Sequence, residues 1–452
     1  MHKDEDSFRA ECAPFLAELR ARTGNEPRIF FDCTATIRDG MRTGIQRVVR
    51  NLMVSGPAAA AELGVECRPV SCFDGVWYSV EKPPPDDRDG ASEPASDRRS
   101  LGTKLKEFGG WVLHRLRKAL IPKKLYMASR AGWRRWHRRL TQPKHRFRPG
   151  DILVLPDVFW GSDDPPTLDA ARAAGATLGL VSYDLIPILH REFVTDSFHC
   201  QFRDWLHETV RKVDFLVAIS RSVRDEVRVY LDEHEPQFGP AAEYVSWFPL
   251  GVRLDMARTD IPARPHVTNW FASSQRKPCL IVCTLEPRKN HVVLLDAFEQ
   301  VWQRDPEARL CVVGRAGWLC DDLVRRMQEH SRFGRELIWF HDLGDSELAY
   351  CYDNSATFVF PSFTEGYGLP IAEALQHGLR VLASDIPVHR EIGGLHCEYF
   401  DPRRPDELAT LIETRAKNET CDEYHPTDWR ESAYVLWREA LRLAARSRPH
   451  RD

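Results

Sequence analysis

The chain has no run of eighteen consecutive apolar residues, which excludes a helix long enough to span a bilayer. Its first residues, MHKDEDSFRAECAPFLAEL, place acids where a secretory leader carries basic residues ahead of an unbroken apolar core, so export is not expected. No C-x-x-C occurs. The 12 cysteines are scattered, Cys67 with Cys72 and Cys279 with Cys283 being the closest pairs, which leaves a zinc or dithiol centre little support. Several sit inside apolar runs such as LIVCTL and LCVVG and read as reduced cysteines packed as small hydrophobes in a cytosolic protein. Asp-x-Asp triplets are confined to Asp4–Asp6 and Asp87–Asp89, neither of which follows a strand, so no metal site is expected.

What is present is the composition of a soluble globular protein, with 43% hydrophobic and 29% charged residues, and a length of 452 that favours two domains or one large α/β body. The first part alternates apolar strands with helical stretches: RIFFDCTA, GIQRVVRNLMV, DILVLPD, TLGLVSYDLI, FLVAIS and RSVRDEVRVYL. Such alternation predicts a parallel sheet with crossover helices, its strands buried on both faces. FPLGVRLDMARTDIPARPH, near residues 248–266, has three prolines and loses the alternation, so it reads as an interdomain linker. A second series then runs from PCLIVCTLEP to HCEYFD, and ESAYVLWREALRLAARS predicts a long closing helix. The expected division is a first domain over 1–255, a second over 270–425 and a closing helix in 426–452. Two such halves imply a cleft.

The net charge of −3 hides a segregation. Between Lys104 and Arg148 fifteen Lys and Arg face one acid, Glu107, so this stretch carries +14 and the remainder −17. It follows EKPPPDDRDGASEPASDRR, residues 81–99, which reads as a flexible surface loop. With Trp111, Trp133 and Trp136 among its cations, and WVLHRLRKALI able to form a basic amphipathic helix, the stretch suits an anionic membrane surface. A solvated helical hairpin is the alternative; no RNA-binding signature accompanies the cations, and nucleic acid is not an expected partner.

PSFTEGYGLPIAEALQHG, residues 361–378, carries the chemistry. TFVFPS reads as a buried strand and PIAEALQHG as a helix, with Pro370 suited to its first position and Gly378 to its C-terminal cap. The loop between them lies at the strand's carboxyl end, where open α/β sheets bind ligands. Gly366 and Gly368 permit a tight turn that bares backbone N–H groups, and with the helix N-terminus these suit phosphate oxygens. Two glutamates would repel a bare phosphate, so Glu365 and Glu373 read as acceptors for sugar hydroxyls, each such bond worth roughly 1.5–3 kcal/mol. A nucleotide-sugar fits. A glutamate in a first helical turn also serves simply to complement the helix dipole.

The segment Glu365-GYGLPIA-Glu373 resembles the E-x7-E signature of retaining glycosyltransferases of family 4, and TLEPRKNHVVLLDAF is similar to that family's phosphate-contacting strand, loop and helix. MRTGIQRVVRNL and LVSYDLIPILHREF resemble the bacterial branch that transfers mannose, rhamnose and related sugars in polysaccharide assembly. The resemblance implies a GT-B fold: two Rossmann-like domains facing a cleft, the final helix crossing back to the first. It implies that Glu373 contacts the donor's ribose, Glu365 the donor sugar, and the backbone of Gly366, Tyr367, Gly368 and Leu369 the sugar and diphosphate. Lys289, supported by Arg288, would neutralise the leaving diphosphate, with the backbone at Gly44 approaching it from across the cleft. It implies neither cofactor nor metal, a GDP-sugar more than a UDP-sugar as donor, and a glycan acceptor. The basic stretch, held on the cytoplasmic face of a membrane, suits an acceptor that is lipid-linked.

Two departures bear on the site. Thr284 stands where many relatives place an arginine, and Tyr183 where many carry a histidine, which leaves Tyr183, Asp184 and His190 as weaker acceptor-side candidates. A non-catalytic binding protein that keeps the fold, or a nucleotide-sugar epimerase, is the alternative reading.

Overall fold

The computed structural model describes residues 5–39, 44–80, 143–157, 159, 167–252, 262–414 and 424–447. The 81–99 loop with its Asp87–Asp89 triplet, the basic stretch as far as residue 142, Asp4 of the other triplet and residues 253–261 of the linker segment lie outside the described residues.

Two sheets carry the fold. The first has seven strands in the order β3-β2-β1-β4-β5-β6-β7: β1 Arg28–Asp32, β2 Glu66–Phe73, β3 Val76–Ser79, β4 Asp151–Leu155, β5 Thr177–Ser182, β6 Phe215–Ala218 and β7 Val245–Trp247. Every pairing is parallel except β2 with β3. The strands β4 and β6 are buried along their whole length, as their apolar sequences DILVL and FLVA require when helices cover both faces. The β2–β3 hairpin at the edge turns on Asp74 and Gly75, whose φ values of 50° and 72° are those a two-residue mirror-image turn needs. Pro143 to Arg148, the end of the basic stretch, runs beside this hairpin: Ser79 N donates to Pro143 O at 3.1 Å and His145 N to Trp77 O at 2.8 Å.

The second sheet has six parallel strands in the order β10-β9-β8-β11-β12-β13: β8 Cys279–Val282, β9 Leu310–Val313, β10 Leu337–Phe340, β11 Thr357–Phe360, β12 Arg380–Ser384 and β13 Cys397–Phe400. The strand order reverses between β8 and β11. In such sheets the loops leaving those two strands open a crevice at their carboxyl ends, and here they are Cys283–Asn290 and Pro361–Gly368.

The final helix, Trp429–Arg446, returns to the first domain as expected. Trp437 is fully buried there and its Nε1 donates to Gly56 O at 3.0 Å, while Arg22 donates to the carbonyls of Ala444 at 2.7 Å and Ser447 at 2.8 Å near the helix end. Phe248, Leu250 and Val252, at the head of the linker segment, are buried in the same core, and Val252 N donates to Thr427 O at 2.9 Å.

The two domains also touch beside the crevice. Tyr367, in the β11 loop, packs into the first domain's core and its hydroxyl donates to Leu250 O at 3.0 Å. Glu391 accepts from Arg221 N at 2.7 Å and Ser222 N at 2.9 Å, capping the exposed N–H groups of the first-domain helix Arg221–Glu233 with a carboxylate from the second.

Candidate active site

Glu365 is the centre of the crevice. Its side chain is 8% exposed and is gripped by Lys289 Nζ at 2.5 Å and Arg288 Nη1 at 2.9 Å. Both cations come from one turn, Pro287–Lys289, between β8 and the helix His291–Arg304; Asn290, at a left-handed φ of 56°, ends that turn and donates to Pro361 O at 3.1 Å and Pro402 O at 2.8 Å. The cation-bearing turn is thereby tied to the glutamate-bearing loop. Burial opposes ionisation of Glu365, but the Arg288 and Lys289 charges outweigh it and hold the carboxyl far below its ordinary value. Arg288 is also drawn to Glu286 at 3.0 Å, and Lys289 lies over the Phe360 ring at 5.0 Å. His389, fully buried, faces the same pocket; burial pushes it down to about 4, so the imidazole is neutral near pH 7, its Nδ1 within 3.0 Å of Ser384 O.

The two glycines of the loop have separate reasons. Gly368 has φ 100° and precedes the helix Leu369–Gln376, which begins one residue before Pro370 rather than at it. Gly366 is required by close approach: a Cβ there would lie 2.2 Å from the carbonyl oxygen of Tyr183, in the first domain, whose Ser220 hydroxyl also donates to Gly366 O at 2.8 Å. Gly378 has φ 71° just past the helix end, as the sequence implies. Leu369 packs against the first domain's core.

Glu373 sits one turn into that helix and is buried, accepting from the Tyr352 hydroxyl at 3.0 Å and from the Arg47 guanidinium. Arg47 belongs to the first-domain helix Gly44–Glu62, so the second glutamate is reached across the cleft. Thr284 is exposed at the end of β8, and Gly44, also exposed, opens its helix with nothing within 4 Å of a Cβ built on it. Next to it, Ile45 shares a cavity of about 150 Å³ with Tyr183, Asp184 and Arg288, which puts the start of this helix opposite the cation pair.

The family model for glycosyl transferases group 1 matches residues 269–435. The match covers the second domain and the start of the final helix, which resemble that family. Curated proteins similar to this chain include the serotype-specific mannosyltransferase WbdA of Escherichia coli, 33% identical over 271 residues, which are 59% of this chain and 33% of that protein. The O-antigen chain mannosyltransferase B of the same organism is 34% identical over 216 residues, 46% of this chain and 52% of that one. The chain thus spans about a third of the length of the first relative and about half of the second. Among solved structures, an α,α-trehalose-phosphate synthase (UDP-forming) from Burkholderia vietnamiensis aligns with a TM-score of 0.50 over 93% of this chain and 98% of that one at 14% identity, which shows the two-domain GT-B fold.

Facing the second domain, the first domain supplies residues that the sequence ranks low or passes over. Asp184, half-buried, accepts from Ile186 N at 3.1 Å; burial raises its carboxyl above the ordinary value while the Arg288 charge pulls it back, so it stands within electrostatic reach of the cation pair. Burial and the Asp184 charge push Glu226, on the helix Arg221–Glu233, up to about 7. Tyr183 donates to Pro156 O at 2.7 Å and presents its backbone, not its ring, to Gly366. His190 lies 3.6 Å from Glu192 at the cleft's edge. Arg47, Glu226 and His389 were not picked out from the sequence. Arg47 falls in MRTGIQRVVRNL, one turn after Gly44, and that spacing is its only signal in the sequence. Among the described residues no group of three or more His, Cys, Asp and Glu is placed to hold a metal, and no helix is long and apolar enough to cross a membrane.

Proposed function

We propose that the protein is a retaining glycosyltransferase that moves a hexose, mannose or a derived deoxysugar, from a nucleoside-diphosphate sugar to a glycan acceptor in cell-surface polysaccharide biosynthesis. The observation that carries this reading is the Glu365–Lys289–Arg288 cluster at the strand-order reversal of a group 1 glycosyltransferase domain, with the first domain's Asp184 opposite. The names of the relatives, both mannosyltransferases, support mannose, and the resemblance of the first domain supports GDP as the carrier.

On this reading the donor's diphosphate lies against Arg288 and Lys289, whose five and three N–H donors can hold phosphate oxygens while keeping Glu365. As the bond from the sugar's anomeric carbon to the phosphate oxygen breaks, negative charge grows on the leaving nucleotide, and two fixed cations in a partly dry site stabilise it most in the transition state. The acceptor oxygen bonds to the same face of that carbon and its proton passes to the departing phosphate oxygen, which preserves the anomeric configuration without a protein nucleophile. Glu365, kept ionised by its cations, accepts from donor-sugar hydroxyls, and Glu373 from the ribose once Arg47 shifts. The cation pair does the neutralising work a metal would otherwise do. The basic stretch, residues 104–148, would hold the protein on the anionic inner face of a membrane beside a lipid-linked acceptor.

The test is to incubate the purified protein with GDP-mannose, GDP-rhamnose or UDP-glucose and a mannose oligosaccharide, following nucleotide release and product mass. The expected result is GDP release matched by one added hexose, an α-anomeric proton signal in the product and no loss of rate in EDTA. Tight nucleotide binding without turnover of any donor would point instead to a non-catalytic binding protein.

A further inference from the structure

A second, larger cavity of about 470 Å³ opens between the two domains, beyond the donor crevice. Its first-domain wall is the segment His190–Phe193; its second-domain wall is Phe363 and the loops leaving β12 and β13. Phe363 is two residues before Glu365 and its N–H donates to Arg288 O at 2.8 Å, so the cavity adjoins the catalytic cluster. Its size is within the range of about 300–1,000 Å³ usual for small-molecule sites.

The lining selects the ligand. Phe193 and Phe363 stack at 5.5 Å with planes 10° apart, forming an apolar wall from both domains. Around it stand four carboxylates, Glu192, Asp385, Asp401 and Glu407, against the one lining arginine, Arg403. That excess of negative charge repels phosphate and disfavours the donor's diphosphate. The carboxylates are not grouped as a metal would need among the described residues. A wholly apolar ligand would also strip water from their remaining oxygen lone pairs and offer no donor in return. A neutral ligand with many hydroxyls and C–H faces satisfies both walls, and that is a saccharide.

The walls are also held in place. Trp318 Nε1, from the second domain, donates to Phe193 O at 2.8 Å and fixes the backbone that carries the ring. Asp401 accepts from Arg403 N at 2.8 Å, Glu407 from Asp401 N at 3.2 Å, and Asp385 from Arg390 at 2.7 Å. Side chains fixed before binding lose less freedom on meeting a ligand.

We propose that this cavity is a saccharide subsite that grips the acceptor glycan chain, using second-domain carboxylates and the Phe193–Phe363 wall. The assignment rests on the glycosyl-transfer reading for the word acceptor; the saccharide itself rests on the cavity alone.

The test uses the full chain without donor. Saturation-transfer NMR with α-linked mannotriose and with glucose and rhamnose oligosaccharides should show at least one bound to the wild type, and that signal should be lost in Phe193→Ala and weakened in Glu407→Gln, both checked for unchanged melting. In the transfer assay the acceptor KM should rise tenfold or more in Phe193→Ala while donor affinity, by calorimetry, moves less than twofold. No oligosaccharide bound, or an unchanged acceptor KM, overturns the subsite, and so does a parallel loss of donor affinity, which would make the cavity part of the donor site. Oligosaccharide binding that depends on Phe193 in a protein that turns over no donor would uphold the saccharide cavity and remove the enzymatic reading instead.

Discussion

At the scale of single residues, the site is a problem in burying charge. Glu365 loses water on burial and is kept ionised only because Lys289 and Arg288 share its pocket. Removing one partner of such a buried cluster costs roughly 3–5 kcal/mol, which explains why the turn carrying the cations is tied so closely to the loop carrying the acid. Glu226 shows the opposite balance. Burial and Asp184 push its carboxyl up to about 7 from an ordinary 4.5, with no cation among the causes. Between those two pH values the folded chain keeps a proton that the unfolded chain has released, so this group's contribution to stability falls as pH rises from about 4.5 to about 7. Denaturant unfolding of wild type and Glu226→Gln should therefore diverge with pH, the wild type losing stability relative to the variant between pH 5 and 8. A difference that stays constant over that range would contradict the placement of Glu226.

At the scale of elements, the loop between β11 and its helix matters most, and its glycines are not interchangeable. A methyl group at Gly366 meets the Tyr183 carbonyl at 2.2 Å, backbone against backbone, so Gly366→Ala has to push the loop or the first domain away. Overpacking of this kind costs about 1–3 kcal/mol. The variant should unfold at lower urea and turn over more slowly, since the loop also carries Glu365; wild-type values for both would show the contact to be softer than drawn. This loop was legible in the sequence because a buried strand, paired glycines, a proline and two acids sat in one short stretch, each pointing to the same strand-loop-helix. Its helix began one residue early, at Leu369, a difference of the size helix ends commonly show. Arg47 was not legible because its partner, Glu373, lies 326 residues further on, and only domain closure brings them together. The β2–β3 hairpin has an Asp-Gly signal at residues 74 and 75, but a short antiparallel edge pair does not show in an alternation of strands and helices.

At the scale of the whole molecule, the final helix joins the chain's end to its first domain. Trp437 fills a space between the helix Gly44–Glu62 and β1, its ring 5.5 Å from Phe31 and against Gly56. Trp437→Ala should destabilise the protein by about 3–5 kcal/mol, measurable as a lower urea midpoint; a loss under 1 kcal/mol would mean the helix is not integral to that core. The two-sheet architecture and a long closing helix are legible in the apolar periodicity, whereas the return of that helix to the first domain is what the family resemblance implies. The large cavity did not, since its lining comes from residues 190–193, 363 and 385–407, which converge only when two sheets face each other.

The central claim is that Lys289 stabilises the charge that grows on a leaving nucleoside diphosphate. Single-turnover kinetics with whichever donor the wild type uses, comparing it with Lys289→Met, tests that most directly, because methionine keeps an unbranched apolar side chain of similar length and removes the ammonium that lies over Phe360 and holds Glu365. The account predicts a fall in rate of roughly 10²–10³-fold, the usual loss on deleting one transition-state donor, in a variant whose circular dichroism matches the wild type. A folded Lys289→Met that transfers sugar at near-wild-type rate would contradict it.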